Sequence, residues 1–153
     1  MLPVDLIAAP GFAAALARLP DPPPAGPDLL VLYPAPPEEP VPGAFLLRIL
    51  GAAGYDDVAT QLHLLPWSAG DGPLDLTALI RHLAARRVLL FGQDLPALGL
   101  HFRVVDYLPL EIGGVRYLTS QPPEDIEAAK ARGDNGPAGR LWAALQQGFL
   151  AGA

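Results

Sequence analysis

Five consecutive apolar residues, Leu29-Leu30-Val31-Leu32-Tyr33, stand between the prolines at 27 and 34, and no other feature constrains the fold as much. A run this short without polar alternation reads as a strand buried on both faces. Such strands belong to parallel sheets covered by helices. The next segments repeat the theme. Residues 43–53 space Phe45, Leu46, Ile49 and Leu50 as a helix does, with Gly54 placed to end it. Residues 59–65 read as a second strand, 74–85 as a helix through Leu76, Leu79, Ile80 and Leu83, and 86–91 as a third strand. Strand, helix, strand, helix, strand with short loops predicts an α/β domain, three layers α/β/α around a mostly parallel central sheet. Gly113-Gly114, between residues 102–108 and 115–119, predicts a tight turn joining two strands. Residues 124–132 and 137–150 read as helices, the latter with Leu141, Trp142, Leu145 and Phe149 on one stripe.

Ahead of this body, Asp21-Pro22-Pro23-Pro24-Ala25-Gly26-Pro27 predicts an extended, stiff tether. The organisation is therefore an apolar segment over 1–20, a proline-rich tether over 21–27 and a single α/β domain over 28–150. In the first segment Leu6, Ile7, Phe12, Ala15, Leu16 and Leu19 are apolar, the later ones at helical spacing. The segment makes a poor secretion signal, because Asp5 occupies the place of basic residues and Pro10-Gly11 interrupts the apolar stretch. No apolar run approaches the roughly 20 residues that cross a bilayer. Cysteine is absent, which excludes disulfides and thiolate metal sites. A cytoplasmic protein without a membrane partner is expected.

Hydrophobic residues make up 51% of the chain and charged residues only 17%, so the apolar excess must go into a core or into an interface with another chain. The net charge of −6 disfavours direct, tight binding to nucleic acid, which relies on a basic surface against phosphates.

The segment Phe91-Gly92-Gln93-Asp94-Leu95-Pro96 ends a predicted parallel strand, where ligands of open α/β sheets tend to bind. Asp94 could orient a water there, with Gln93 beside it; a plain turn capped by Asp94 is the simpler reading. His63, His82 and His101 are far apart, and none has metal-type spacing to an acid. Neither Ser68 nor Ser120 sits in a nucleophile elbow. Gly51-Ala52-Ala53-Gly54 falls at a helix end, whereas a phosphate cradle belongs at a helix start. Glu38-Glu39 read as solvated loop charge and Trp142 as a core anchor, whereas Trp67, in a Pro/Gly loop after a strand, is open to a binding role. No cofactor and no metal site is expected.

The runs Leu29–Tyr33, Phe45-Leu46-Leu47-Arg48-Ile49-Leu50, the strand ending at Leu65 and Val88-Leu89-Leu90-Phe91-Gly92 together resemble the core of the uracil-DNA glycosylase-like fold. The later part, Tyr117-Leu118-Thr119-Ser120 and then Asn135-Gly136-Pro137-Ala138-Gly139-Arg140-Leu141-Trp142, is similar to the ending of a family of that fold without glycosylase activity. That family is the psi subunits of the bacterial DNA polymerase III clamp-loader complex. The resemblance covers residues 28–150. Glycosylases carry a Gly-Gln-Asp segment after the first core strand and a later His-Pro-Ser segment. Here those places hold Tyr33-Pro34-Ala35-Pro36 and Tyr107-Leu108-Pro109-Leu110, and Gly92-Gln93-Asp94 follows the third strand instead. The resemblance therefore implies a non-catalytic subunit of a replication assembly, since base removal needs an acid to orient water. It also implies partners: an N-terminal peptide on the clamp loader, with Leu6, Ile7, Phe12 and Leu16 as anchors in a groove unless that segment packs on its own domain, and a body bound to a chi-like subunit that contacts single-strand-binding protein. A divergent glycosylase-type hydrolase using Asp94 and an unrelated α/β interaction domain are the competing expectations.

Overall fold

The computed structural model describes residues 10–20, 24, 26–35 and 42–151. Its helices are α1 (Phe12–Ala17), α2 (Ala44–Ala52), α3 (Val58–Gln61), α4 (Leu76–Leu83), α5 (Pro123–Ala131) and α6 (Gly136–Leu145). Its strands are β1 (Leu29–Tyr33), β2 (His63–Pro66), β3 (Arg87–Phe91), β4 (Leu110–Ile112) and β5 (Val115–Ser120), with single 3-10 turns at Ala69–Asp71 and Pro96–Leu98. The strands form one sheet in the order β2-β1-β3-β5-β4. β2, β1, β3 and β5 run parallel, and β4 joins β5 antiparallel at the edge.

All five residues of β1 are buried, as an uninterrupted apolar run requires of a strand with helices on both faces. Alternate residues serve opposite layers. Leu30, Leu32, Val88 and Leu90 pack with α1 and α4. Leu29, Val31, Leu89 and Phe91 pack with α2, α5 and α6. The molecule is thus α/β with a mostly parallel five-stranded sheet and helices on both sides. Among the described residues, no helix is long and apolar enough to cross a membrane.

Several expected boundaries move, each for a local reason. The strand expected over 59–65 begins only at His63, because Asp57 caps the short helix α3 by accepting from the Ala59 amide at 3.2 Å. The helix expected over 74–85 is shortened at both ends: Asp75 caps α4 by accepting from the Ala78 amide, and Ala84 turns left-handed at φ 56°. The strand expected over 102–108 is instead β4. Gly113 and Gly114 both take positive φ, so their two-residue turn pairs Ile112 with Val115 and fixes the partner strand immediately before the turn. The last helix stops at Leu145 rather than 150, although Phe149 beyond it is fully buried.

Residues 10–20 are not a free-standing segment. Phe12, Ala15 and Leu19 belong to the same core as α4, and Phe12 meets His82 edge-on with ring centroids 5.4 Å apart. The Asp75 amide donates to the Pro10 carbonyl at 2.8 Å. Arg18 forks onto both oxygens of Asp71, at 2.7 and 2.9 Å, and also donates to the Pro66 carbonyl. At the opposite end of the strands, Arg87 pairs with Asp28 at 2.7 Å and donates to the carbonyls of Gly148 and Leu150. Beside it the Tyr55 hydroxyl donates to the Phe149 carbonyl, and the Ala151 amide to that of Ala53.

Candidate functional site

Strands β2 and β3 lie on opposite sides of β1, reached through α2 on one face and α4 on the other. The strand order therefore reverses between β1 and β3, and a crevice opens beyond their carboxyl ends. Four connections meet there: Pro34-Ala35 after β1, Trp67-Ser68 after β2, Gly92-Gln93-Asp94 after β3 and Gln121-Pro122 after β5.

Hydrogen bonds stitch these connections together. The Gln93 carboxamide donates to the carbonyls of Trp67 at 2.9 Å and Phe91 at 3.0 Å, spanning the ends of β2 and β3. The Ser68 hydroxyl donates to the Ala35 carbonyl and accepts from the Ala35 amide, both at 3.0 Å. The Ser68 amide donates to Asp71, the carboxylate that Arg18 grips, and that guanidinium holds the Asp71 carboxyl below the usual carboxylate range. Ser68 and Asp71 form a capping box, and the Ser-x-x-Asp spacing is the sequence signal that would have marked them. Gly92 is required by geometry: its φ is +59°, and a Cβ there would meet the Pro122 ring at 2.5 Å.

Beside these connections lies a cleft of about 370 Å³, lined by Tyr33, Pro34, Phe45, Leu46, Pro123 and Glu124 among others. Burial pushes the Tyr33 phenol up to about 12, so it stays protonated at neutral pH and cannot serve there as a base. Glu127 on the rim faces Arg48 at 3.6 Å, with both side chains largely in solvent, where such a pair adds little stability. The cleft has a largely apolar lining and carboxylates on its rim.

Asp94 is exposed, and it makes no hydrogen bond or ion pair among the described residues. Trp67 does not offer its ring to a partner. It is 2% exposed, lies in the core with α1 and α4, and carries the Arg18 guanidinium 4.8 Å above its centroid. A loop that looked open in sequence is held in by Gln93 on its carbonyl and by its own amide, which donates to Tyr33. Of the N-terminal anchors, Phe12 is buried and Leu16 packs against the same core, while Leu6 and Ile7 lie outside the described residues, as do Glu38 and Glu39. The histidines stay apart: His63 is buried in β2, His82 meets Phe12 edge-on, and His101 is exposed. Among the described residues, no three His, Asp or Glu side chains gather as a metal site would need. Tyr107, in the place expected of a glycosylase histidine segment, has φ 68°, donates its hydroxyl to Gln121 and lies under the Arg140 guanidinium.

The chain matches no protein-family model and no curated protein.

Proposed function

We propose that this chain is a non-catalytic accessory subunit of a DNA replication assembly, similar to the psi subunit of the bacterial clamp loader. In this reading it bridges the clamp loader and partners linked to single-strand-binding protein. It works in the cytoplasm, and its sheet is a version of the uracil-DNA glycosylase-like fold. The observation that carries the reading is the use made of polar groups where the strands end. Gln93, the neighbour of the candidate acid Asp94, spends its carboxamide on the main-chain carbonyls of Trp67 and Phe91. The Ser68 hydroxyl is spent on Ala35. Groups engaged in this way hold loops in place. The parallel run β2-β1-β3-β5 supports the fold assignment, together with the resemblance over residues 28–150. Because Phe12 and Leu16 pack on the body, the peptide that docks on the clamp loader is the stretch ahead of Pro10, with Leu6 and Ile7 as its anchors.

Two measurements test this. The purified chain should co-elute with a reconstituted clamp-loader complex of its own organism on gel filtration, and removal of residues 1–9 should abolish the co-elution. Uracil release from single-stranded DNA should be at background for both wild type and Asp94→Ala. Release by the wild type that Asp94→Ala removes would make the chain a hydrolase instead. Failure of a folded chain to co-elute would leave an α/β interaction domain of another pathway.

A further inference from the structure

The sheet face that carries α1 and α4 is covered unevenly. Toward β5 and β4 its covering comes from the irregular connection after β3, through Leu98, Leu100 and Phe102. Between α4 and the β4–β5 hairpin a groove of about 400 Å³ stays open. Ile80 and Arg81 of α4 line it, together with Ile112 and Val115 of the hairpin, and Phe102 and Tyr117 between them. Among the described residues, one of the four exposed large apolar side chains, Ile112, lines the groove itself. β4 is the edge strand, paired on one side only, so its main chain continues the open rim.

Charge decides what this groove can hold. The chain as a whole carries −6, so its general field attracts basic partners. The groove reverses that preference: among the described residues its lining includes Arg81 and His101 and no carboxylate. Arg81 takes part in no ion pair among the described residues. One arginine and one histidine are too few to grip a phosphate backbone, which demands a row of cations. They suffice to orient a carboxylate on a segment whose apolar side chains fill the groove.

We infer that the groove between α4 and the β4–β5 hairpin docks an acidic, apolar peptide segment of a partner protein, its carboxylates toward Arg81 and His101 and its apolar side chains against Phe102, Ile112 and Val115. The inference stands on the groove alone and does not require the partner to belong to a replication assembly.

The test uses the full chain and fluorescence anisotropy. The probe is a fluorescein-labelled decapeptide alternating Asp with Leu and Phe, compared with the same peptide carrying Lys in place of Asp. Wild type should bind the Asp peptide about tenfold more tightly than the Lys peptide, Arg81→Glu should reverse the order, and Ile112→Asp should weaken both by about tenfold. Both substituted side chains are at the surface; should Arg81→Glu disturb the fold by circular dichroism, Arg81→Gln serves, with the preference for Asp lost rather than reversed. Equal binding of the two peptides, no binding of either, or unchanged affinity in the variants overturns the proposal. So does a dimer in sedimentation that Ile112→Asp dissolves, because the occupant is then a second copy. A chain that binds the Asp peptide at this groove yet ignores the clamp loader keeps this inference and loses the proposed function.

Discussion

Replacing Phe12 by alanine asks whether the N-terminal helix belongs to the domain or to a partner. Phe12 is 3% exposed in a core it shares with Leu74, Leu79 and Leu83. Returning such a ring to water costs about 1.5–3 kcal/mol, and truncation inside a rigid core costs about 3–5 kcal/mol because a cavity remains. α1, however, has only six residues, with proline-rich sequence following it, so it can lift away rather than preserve a cavity. Its docking energy then caps the loss. The contributions are burial of Phe12, Ala15 and Leu19, the partly exposed Arg18–Asp71 pair, the Arg18 contacts with the Pro66 carbonyl and the Trp67 ring, and one main-chain bond to Asp75. A loss of about 2–3 kcal/mol in urea denaturation follows, or about 5–10 °C in melting temperature for a domain of this size. Ala14→Ser, on the exposed side of the same helix, should change stability by no more than about 0.5 kcal/mol. If Phe12→Ala is as harmless as Ala14→Ser, the helix is not docked in solution and the reasoning fails.

Other expectations follow from single contacts. Gly92→Ala should cost about 2–3 kcal/mol in urea denaturation, from left-handed strain and the clash with the Pro122 ring. Gln93→Ala should cost about 1–2 kcal/mol, because the Trp67 and Phe91 carbonyls lose their donor. His63 is buried with its Nδ1 unpartnered, and burial lowers its pKa despite a hydrogen bond to the main chain of Pro27. The unfolded chain therefore takes up a proton that the folded chain resists. The stability due to His63 is complete above about pH 6.5 and drains away as pH falls toward the lower folded value. The urea midpoint of wild type should drop more between pH 7.5 and 5.5 than that of His63→Leu; parallel drops would show that this side chain is not the source. Arg87→Met should cost about 2–3 kcal/mol in the same assay, since the carbonyls of Gly148 and Leu150 and the partly exposed Asp28 lose their common donor.

The sheet was legible wherever an apolar run had no alternative use. The strands at 29–33 and 87–91 could be read to within a residue, because a strand covered on both faces consumes an unbroken apolar run. Errors arose where one or two residues outweighed their neighbours. Asp57 turned the start of an expected strand into helix α3, and the Gly113-Gly114 turn moved β4 beyond the stretch that looked most strand-like. The strand-end loops were harder still. Trp67 sits among Pro, Ser and Gly, a composition that usually means exposure, and nothing local announces that Arg18, 49 positions upstream, would lie over its ring. Long-range partners of this kind leave no periodic trace. The groove beside Arg81 was invisible for the same reason, since its walls come from α4, the connection after β3 and the hairpin.

One guanidinium binds both Asp28, ahead of the first strand, and the carbonyls of Gly148 and Leu150, beyond the last helix. The start of the first strand and the segment after the last helix are consequently neighbours at one end of the sheet, whereas Pro10 is tied to Asp75 at the other. A peptide ahead of Pro10 and anything attached after Leu150 therefore set out from opposite ends of the strands. Used as a bridge, the body would itself supply the length of the sheet between its attachments.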